Sequence, residues 1–137
     1  MAVQLNQTNA LPYSYLGILF ADMGNYEESI KNLTRTIELE HTFALHYFRR
    51  AYYYDLMGKN QKALFDYNET IRLDAANAEA FYNRGLIYQF WKRYQEAITG
   101  YSKVIKLKPN YSSAYYNRCK ANSKLKNFTE EITDLKK

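Results

Sequence analysis

An all-α fold of about four consecutive helix–turn–helix repeats is predicted for this 137-residue chain by three observations. Apolar and aromatic residues recur at a spacing of 34 without a gap. Within each period they fall at helical spacing on two successive stretches. Two prolines and five glycines are too few breakers for a turn-rich β fold.

The period is read from matched series. Ile37, Ile71 and Ile105 repeat, as do Leu39, Leu73 and Leu107; Tyr13, Tyr47, Phe81 and Tyr115 form an aromatic series, and Phe20, Tyr54 and Tyr88 another. Ser29, Ala63, Ala97 and Glu131 share one position, and Leu33, Tyr67, Tyr101 and Leu135 share the next landmark. An N-terminal extension (1–9) is followed by repeats at 10–43, 44–77, 78–111 and 112–137, the last incomplete, and together they are expected to form one domain.

Helices are expected at 10–23 and 27–39, 43–57 and 61–73, 78–91 and 95–107, and 112–125 and 129–136. In the third repeat Phe81, Gly85 and Tyr88 lie on one face of the first helix, and Ala97, Tyr101, Val104 and Ile105 form the face of the second. Small residues at Gly17, Ala51, Gly85 and Cys119 mark where paired helices approach closely, so Cys119 reads as a core residue rather than a nucleophile. Gly24 and Gly58 belong in turns, and Pro109 ends a second helix. Asn9, Thr42, Asn77 and Ser112 read as N-caps.

These landmarks resemble the tetratricopeptide repeat family, whose pattern has a period of 34 residues. The run FYNRGLIYQFWKRYQEAITGYSKVIKLKPN, Phe81 to Asn110, carries the family's aromatic, Gly, Tyr, Ala, aromatic and Pro positions. Glu131 and Asn122 depart from it where the family prefers Ala and Tyr, and His41 and Ala75 replace its proline. The resemblance implies a right-handed α-solenoid whose first helices line a concave surface, and a scaffold function in protein–protein interaction.

Composition narrows the remaining classes. Net charge is +5, distributed over the four repeats as −3, +1, +4 and +3, a gradient that steers an acidic partner toward the C-terminal half. No apolar run approaches the length of a membrane span, no secretory signal is read at the N-terminus, and a single cysteine fits a reducing compartment. A cytoplasmic protein without membrane partners is therefore expected. The five N-x-S/T sequons, at Asn6, Asn32, Asn68, Asn110 and Asn127, read as by-products of an Asn- and Thr-rich chain.

Chemistry has little to work with. His41 and His46 are five residues apart and do not share a helical face as metal ligands at i and i+4 would. No phosphate-binding glycine loop occurs. No metal, no cofactor and no catalytic residue are expected, and the chain reads as a non-enzyme. Arg50, Arg84 and Arg118 recur at one position, with Asp66 and Asp134 sixteen residues after the first and last, a spacing that favours structural pairing.

The first helices carry a second apolar face that hairpin packing does not require. Tyr15 and Ile18 lie there in the first repeat, Leu45, Phe48, Arg49 and Tyr52 in the second, Tyr82, Asn83, Leu86 and Phe90 in the third, and Tyr116, Asn117 and Lys120 in the fourth. Such a face predicts a groove for a peptide segment of another protein, with Arg49, Asn83, Asn117 and Lys120 as polar anchors. The acidic-tail clamp of chaperone-binding relatives is not expected. The corresponding positions hold Ser14, Ile18, Arg49, Glu79 and Asn83 or, one repeat later, Phe48, Tyr52, Asn83, Ser113 and Asn117. The alternatives are nucleic-acid binding by the basic C-terminal half, which is the weaker expectation, and self-association. The short fourth repeat predicts either a homo-oligomer or part of a longer array.

Overall fold

The computed structural model describes residues 8–135, with the side chains at 128, 130, 131, 133 and 134 outside the description. Among the described residues there are seven helices and no strand: α1 (Ala10–Asp22), α2 (Tyr26–Leu39), α3 (Ala44–Leu56), α4 (Asn60–Leu73), α5 (Ala78–Phe90), α6 (Tyr94–Leu107) and α7 (Ser112–Leu135). They form two compact units, Met1–Ala75 and Ala76–Lys137.

The second helices bury the same stripe each time. In α2 it is Ser29, Leu33, Thr36 and Ile37; in α4 it is Ala63, Asp66, Tyr67 and Thr70; in α6 it is Ala97, Gly100, Tyr101 and Val104. This i, i+4, i+7 spacing keeps one face turned to the first helix of the same hairpin. The facing helix must be narrow at that height. A Cβ on Gly17 would lie 2.8 Å from the Leu33 side chain, and one on Gly85 would lie 2.7 Å from the Tyr101 ring. Ala51 fills the same position and is fully buried.

Each hairpin turn closes the first helix with a paired bond pattern. Gly24 N–H donates to Ala21 C=O at 2.9 Å and Asn25 N–H to Phe20 C=O at 2.8 Å, the Schellman arrangement. Gly58 and Lys59 repeat it on Asp55 and Tyr54, and Lys92 and Arg93 on Gln89 and Tyr88. The motif needs a left-handed residue, supplied by Gly24 (φ 79°), Gly58 (φ 75°) and, against steric preference, Lys92 (φ 62°). Asn9 and Asn77 cap α1 and α5 as expected, accepting from Leu11 and Ala80 N–H at 3.0 Å each, and α6 ends at Leu107, two residues before Pro109.

Three expectations are corrected. The fourth repeat does not turn at 126–128: α7 is one helix of 24 residues. At Lys126, the counterpart of Lys92, no packed hairpin offsets the strain of a left-handed residue, because Glu131 and Asn122 replace the Ala and Tyr of the third repeat. Consequently Cys119 is exposed rather than core, since no second helix covers it. The caps of α3 and α7 also differ. Phe43, not Thr42, precedes α3 and makes no side-chain cap bond, and Ser112 is already the first residue of α7.

The arginine series is structural where it is described. Arg50 forks onto Asp66 with bonds of 2.7 and 2.8 Å, and donates to Thr34 Oγ1 at 3.1 Å. Burial works against the Arg50 charge, but the bond and field of Asp66 outweigh it and hold the guanidinium pKa above its ordinary value. Burial raises Asp66 as well, so its carboxylate depends on that fork. Arg118 donates to Ser102 Oγ at 3.3 Å; the expected partner Asp134 lies outside the described side chains.

Candidate functional site

The outward faces of the first helices hold the large apolar groups that each unit leaves in solvent. In the first unit Leu11, Tyr15, Leu45 and Tyr52 are exposed on α1 and α3, beside half-buried Ile18, Phe48 and Arg49. In the second, Leu86, Phe90 and Tyr116 are exposed on α5 and α7, Phe90 at 74%. Among the described residues of α2, α4 and α6, by contrast, Phe65 is the one exposed large apolar side chain. Water-facing aromatic groups are thus concentrated on one type of helix.

Within the second unit several anchors come together. Asn117 Nδ2 donates to the Tyr82 hydroxyl at 2.8 Å and to Ser113 C=O at 3.0 Å. The Tyr82 ring packs on Tyr101 and Tyr111, with centroids 5.8 and 5.1 Å away. Burial pushes the Tyr111 hydroxyl up, as does the nearby Glu79 carboxylate. The Lys120 ammonium stands 5.7 Å over the Tyr116 ring. Asn83 is half-buried on the same helix as Tyr82.

In the first unit the apolar members are tied to the core from one side. Phe48 lies 6.0 Å from the Tyr67 ring, and Tyr52 meets Tyr53 edge-on at 5.9 Å. Tyr53 in turn stacks on Tyr26 at 5.8 Å. The Tyr67 hydroxyl donates to Asp55 Oδ2 at 3.2 Å, and Tyr101 makes the equivalent bond to Gln89 at 2.6 Å. Burial raises the Asp55 carboxyl above its usual range despite the bond from Tyr67. Burial raises the Tyr101 hydroxyl as well, with Tyr82 adding to the shift.

Tyr82 and Phe48 therefore serve packing as well as the outward face, a double role that period alone does not reveal. Sequence reading also missed Leu19 and Tyr115, both exposed on first helices. Tyr115 sits in the series whose members Tyr47 and Phe81 are buried, so only the straight course of α7 explains its exposure. His46, weighed in the sequence only as a metal ligand with His41, takes a packing role. It is buried, with Nε2 3.0 Å from Glu40 Oε2, and Phe43 packs on its ring. Among the described residues no group of three or more His, Cys, Asp and Glu side chains converges, and no helix is long and apolar enough to cross a membrane.

Helical hairpins of one length, joined by one turn geometry and packed through one stripe, define a helical-repeat protein of the solenoid class. Comparison with known proteins specifies the class further. Residues 78–111 match the model of the tetratricopeptide repeat, and residues 53–89 match a second TPR repeat model. Residues 53–111 thus carry tetratricopeptide repeats.

No curated protein matches it. Among solved structures, MamA protein is similar at 26% identity and a TM-score of 0.83, over 94% of this chain and 70% of that one. The second TPR domain of human RPAP3, in complex with HSP70 peptide SGPTIEEVD, is 29% identical with a TM-score of 0.76, covering 82% of this chain and 94% of that one. The first TPR of Spaghetti (RPAP3), bound to HSP90 peptide SRMEEVD, shares the fold at 23% identity and a TM-score of 0.80, over 90% and 98% of the two chains.

Proposed function

We propose that this chain is a scaffold module that captures a peptide segment of another protein on the outward faces of its first helices. The carrying observation is the asymmetry of exposure: large apolar groups face solvent along α1, α3, α5 and α7, and hardly at all along α2, α4 and α6. Exposed aromatic groups of this density are costly to leave in water unless a partner covers them. Tyrosine combines contact area, few rotatable bonds and a polar tip. Arg49, Asn83, Asn117 and Lys120 are the anchors that fix register, Asn117 through an amide already oriented by Tyr82. The peptide complex of the 29%-identical RPAP3 domain supports a peptide as ligand class.

An acidic segment suits the second unit best, because Lys120 is exposed there beside Tyr116. Nucleic acid fits less well: Arg93 is paired with Glu96 at 2.6 Å and Arg118 with Ser102, which takes basic groups away from phosphate contacts. The test is selection from a displayed peptide library containing acidic, neutral and basic segments, with SGPTIEEVD as one defined member. Tyr52→Ala and Tyr116→Ala should each weaken the selected peptides by about fivefold or more, the loss of roughly 1 kcal/mol typical of an anchor residue. Phe65→Ala on α4 should leave them unchanged. If Phe65→Ala releases the peptide while Tyr52→Ala and Tyr116→Ala do not, the outward face of the first helices is not the site.

A further inference from the structure

We propose that a cleft in the second unit, between the α5–α6 turn and residues 124–127 of α7, binds an acidic peptide segment: two carboxylates flanking an apolar side chain. The cleft measures about 610 Å³, within the range of about 300–1,000 Å³ that takes a small ligand or a few residues of chain. Lys92 and Arg93 line it from the turn, Tyr94 and Glu96 from the start of α6, and Lys124 and Leu125 from α7. None of the residues assigned to the outward groove is on its walls. The site goes beyond the groove reading and does not rest on it.

The space opens where the repeat frame loses a ring. In the first unit Tyr26, at the start of α2, stacks on Tyr53 of α3 with centroids 5.8 Å apart, and both rings are half-buried between the two helices. Two frames of 34 residues later the same positions hold Tyr94 on α6 and Ala121 on α7, two helices that also pack together. Ala121 is fully buried, and among the described residues no ring stacks on Tyr94. A methyl group thus stands where the first unit has a phenol. Tyr94 and Leu125, both half-buried, form the apolar floor of what remains.

Charge sets the occupant. Among the described residues Glu96 is the one carboxylate on the walls, and Arg93 holds both its oxygens, at 2.6 and 2.7 Å. Lys92 and Lys124 are exposed and, among the described residues, have no acidic partner. From Ser112 to Asn127, α7 carries Arg118, Lys120, Lys124 and Lys126 and no acidic residue. A ligand entering the cleft therefore meets two ammonium groups and no free carboxylate, above an apolar floor. Acidic side chains on either side of an apolar one complement all three features. Nucleic acid is the poorer fit. A strand needs a basic track several nucleotides long with rings to stack its bases on, and the cleft offers a single ring.

Titration of the full chain with the end-capped pentapeptide GELEG, followed by amide NMR shifts, tests the site. Shifts should cluster at 92–96 and 124–127, and binding should weaken as salt is added. The neutral peptide GQLQG should bind about tenfold more weakly. Lys92→Gln and Lys124→Gln should each cost about threefold, whereas Lys62→Gln, which removes an equal charge from the first unit, should cost nothing measurable. All three lysines are exposed, so the fold is not at stake. In the double variant Lys92→Glu with Lys124→Glu the preference should invert to GKLKG. Shifts centred on Tyr82, Leu86 and Tyr116 would move the peptide to the outward groove. Equal binding of GELEG and GQLQG would remove the charge argument, and an oligothymidylate that binds the cleft more tightly than GELEG would make it a phosphate site. Any of these, or no shift up to about 1 mM peptide, overturns the proposal.

Discussion

The α5–α6 hairpin and the α7 helix occupy consecutive copies of one 34-residue frame, and neither has a glycine at the left-handed turn position. In the hairpin Lys92 adopts φ 62° and the chain reverses; in α7 the equivalent Lys126 stays helical. A left-handed non-glycine residue costs about 1–2 kcal/mol. What offsets that cost at Lys92 is the packing beyond it: Tyr101 against Gly85, Ala97 and Val104 fully buried, and the Tyr101 hydroxyl bonded to Gln89. The fourth repeat has Glu131 for Ala97, and no comparable core rewards a turn. Turn formation in this chain is thus decided by the stripe the turn brings together, and local turn chemistry only adjusts the balance.

The largest test removes that reward. Ala97→Asp places an unpaired charge at a fully buried position, and should cost at least about 4 kcal/mol, abolishing cooperative unfolding of residues 76–107. Circular dichroism melting reads it directly, and a sharp, near-native transition would show that the stripe does not hold the hairpin. Arg50→Ala asks the same of the first unit. Asp66 is then left buried without its fork, and a loss of about 3–5 kcal/mol is expected in urea unfolding. A loss below roughly 1 kcal/mol would reduce the fork to a surface-type pair.

A smaller test acts on the turn itself. Lys92→Gly relieves the left-handed strain at an exposed position, so it should stabilise the second unit by up to about 1 kcal/mol after the added flexibility of glycine is discounted. Destabilisation would mean that the lysine side chain, not the backbone, matters there. The smallest expected effect is a pH dependence. Burial raises the Asp55 carboxyl above 3.8, so its contribution to stability is fully present below that value and is lost as pH rises through its folded pKa. Asp55→Asn should flatten the stability profile in that acidic window. An unchanged slope would assign the dependence elsewhere.

Much of the fold was legible because one signal was written repeatedly. The stripes Ser29–Leu33, Ala63–Tyr67 and Ala97–Tyr101 identify the second helices, and the small partners Gly17, Ala51 and Gly85 place the first helices against them. Lys92 was less legible, since nothing in its side chain announces positive φ; its place in the frame, opposite Gly24 and Gly58, is the signal. α7 was misread because periodicity records which residues would pack if the chain turned, and is silent on whether the packing suffices. The outward apolar face was legible at Tyr15, Tyr52, Leu86, Phe90 and Tyr116. The Asn117–Tyr82 bond was not, because it joins positions 35 apart, which a strict 34-residue comparison does not pair. Nor was the pairing of His46 with Glu40, which depends on how the loop between α2 and α3 folds.

The Arg50 guanidinium touches three helices at once: Thr34 on α2 behind it, Asp66 on α4 ahead, and its own α3 between. In a repeat protein, where each module feels only its neighbours, such a group acts as a clutch between successive modules. Opening α4 alone strands a guanidinium, and opening α2 alone frees one of its donors, so partial states of the first unit are penalised at both ends. Residues 26–73 should consequently exchange their amide hydrogens as a block, and a force applied at one hairpin should be felt in the other before either gives way.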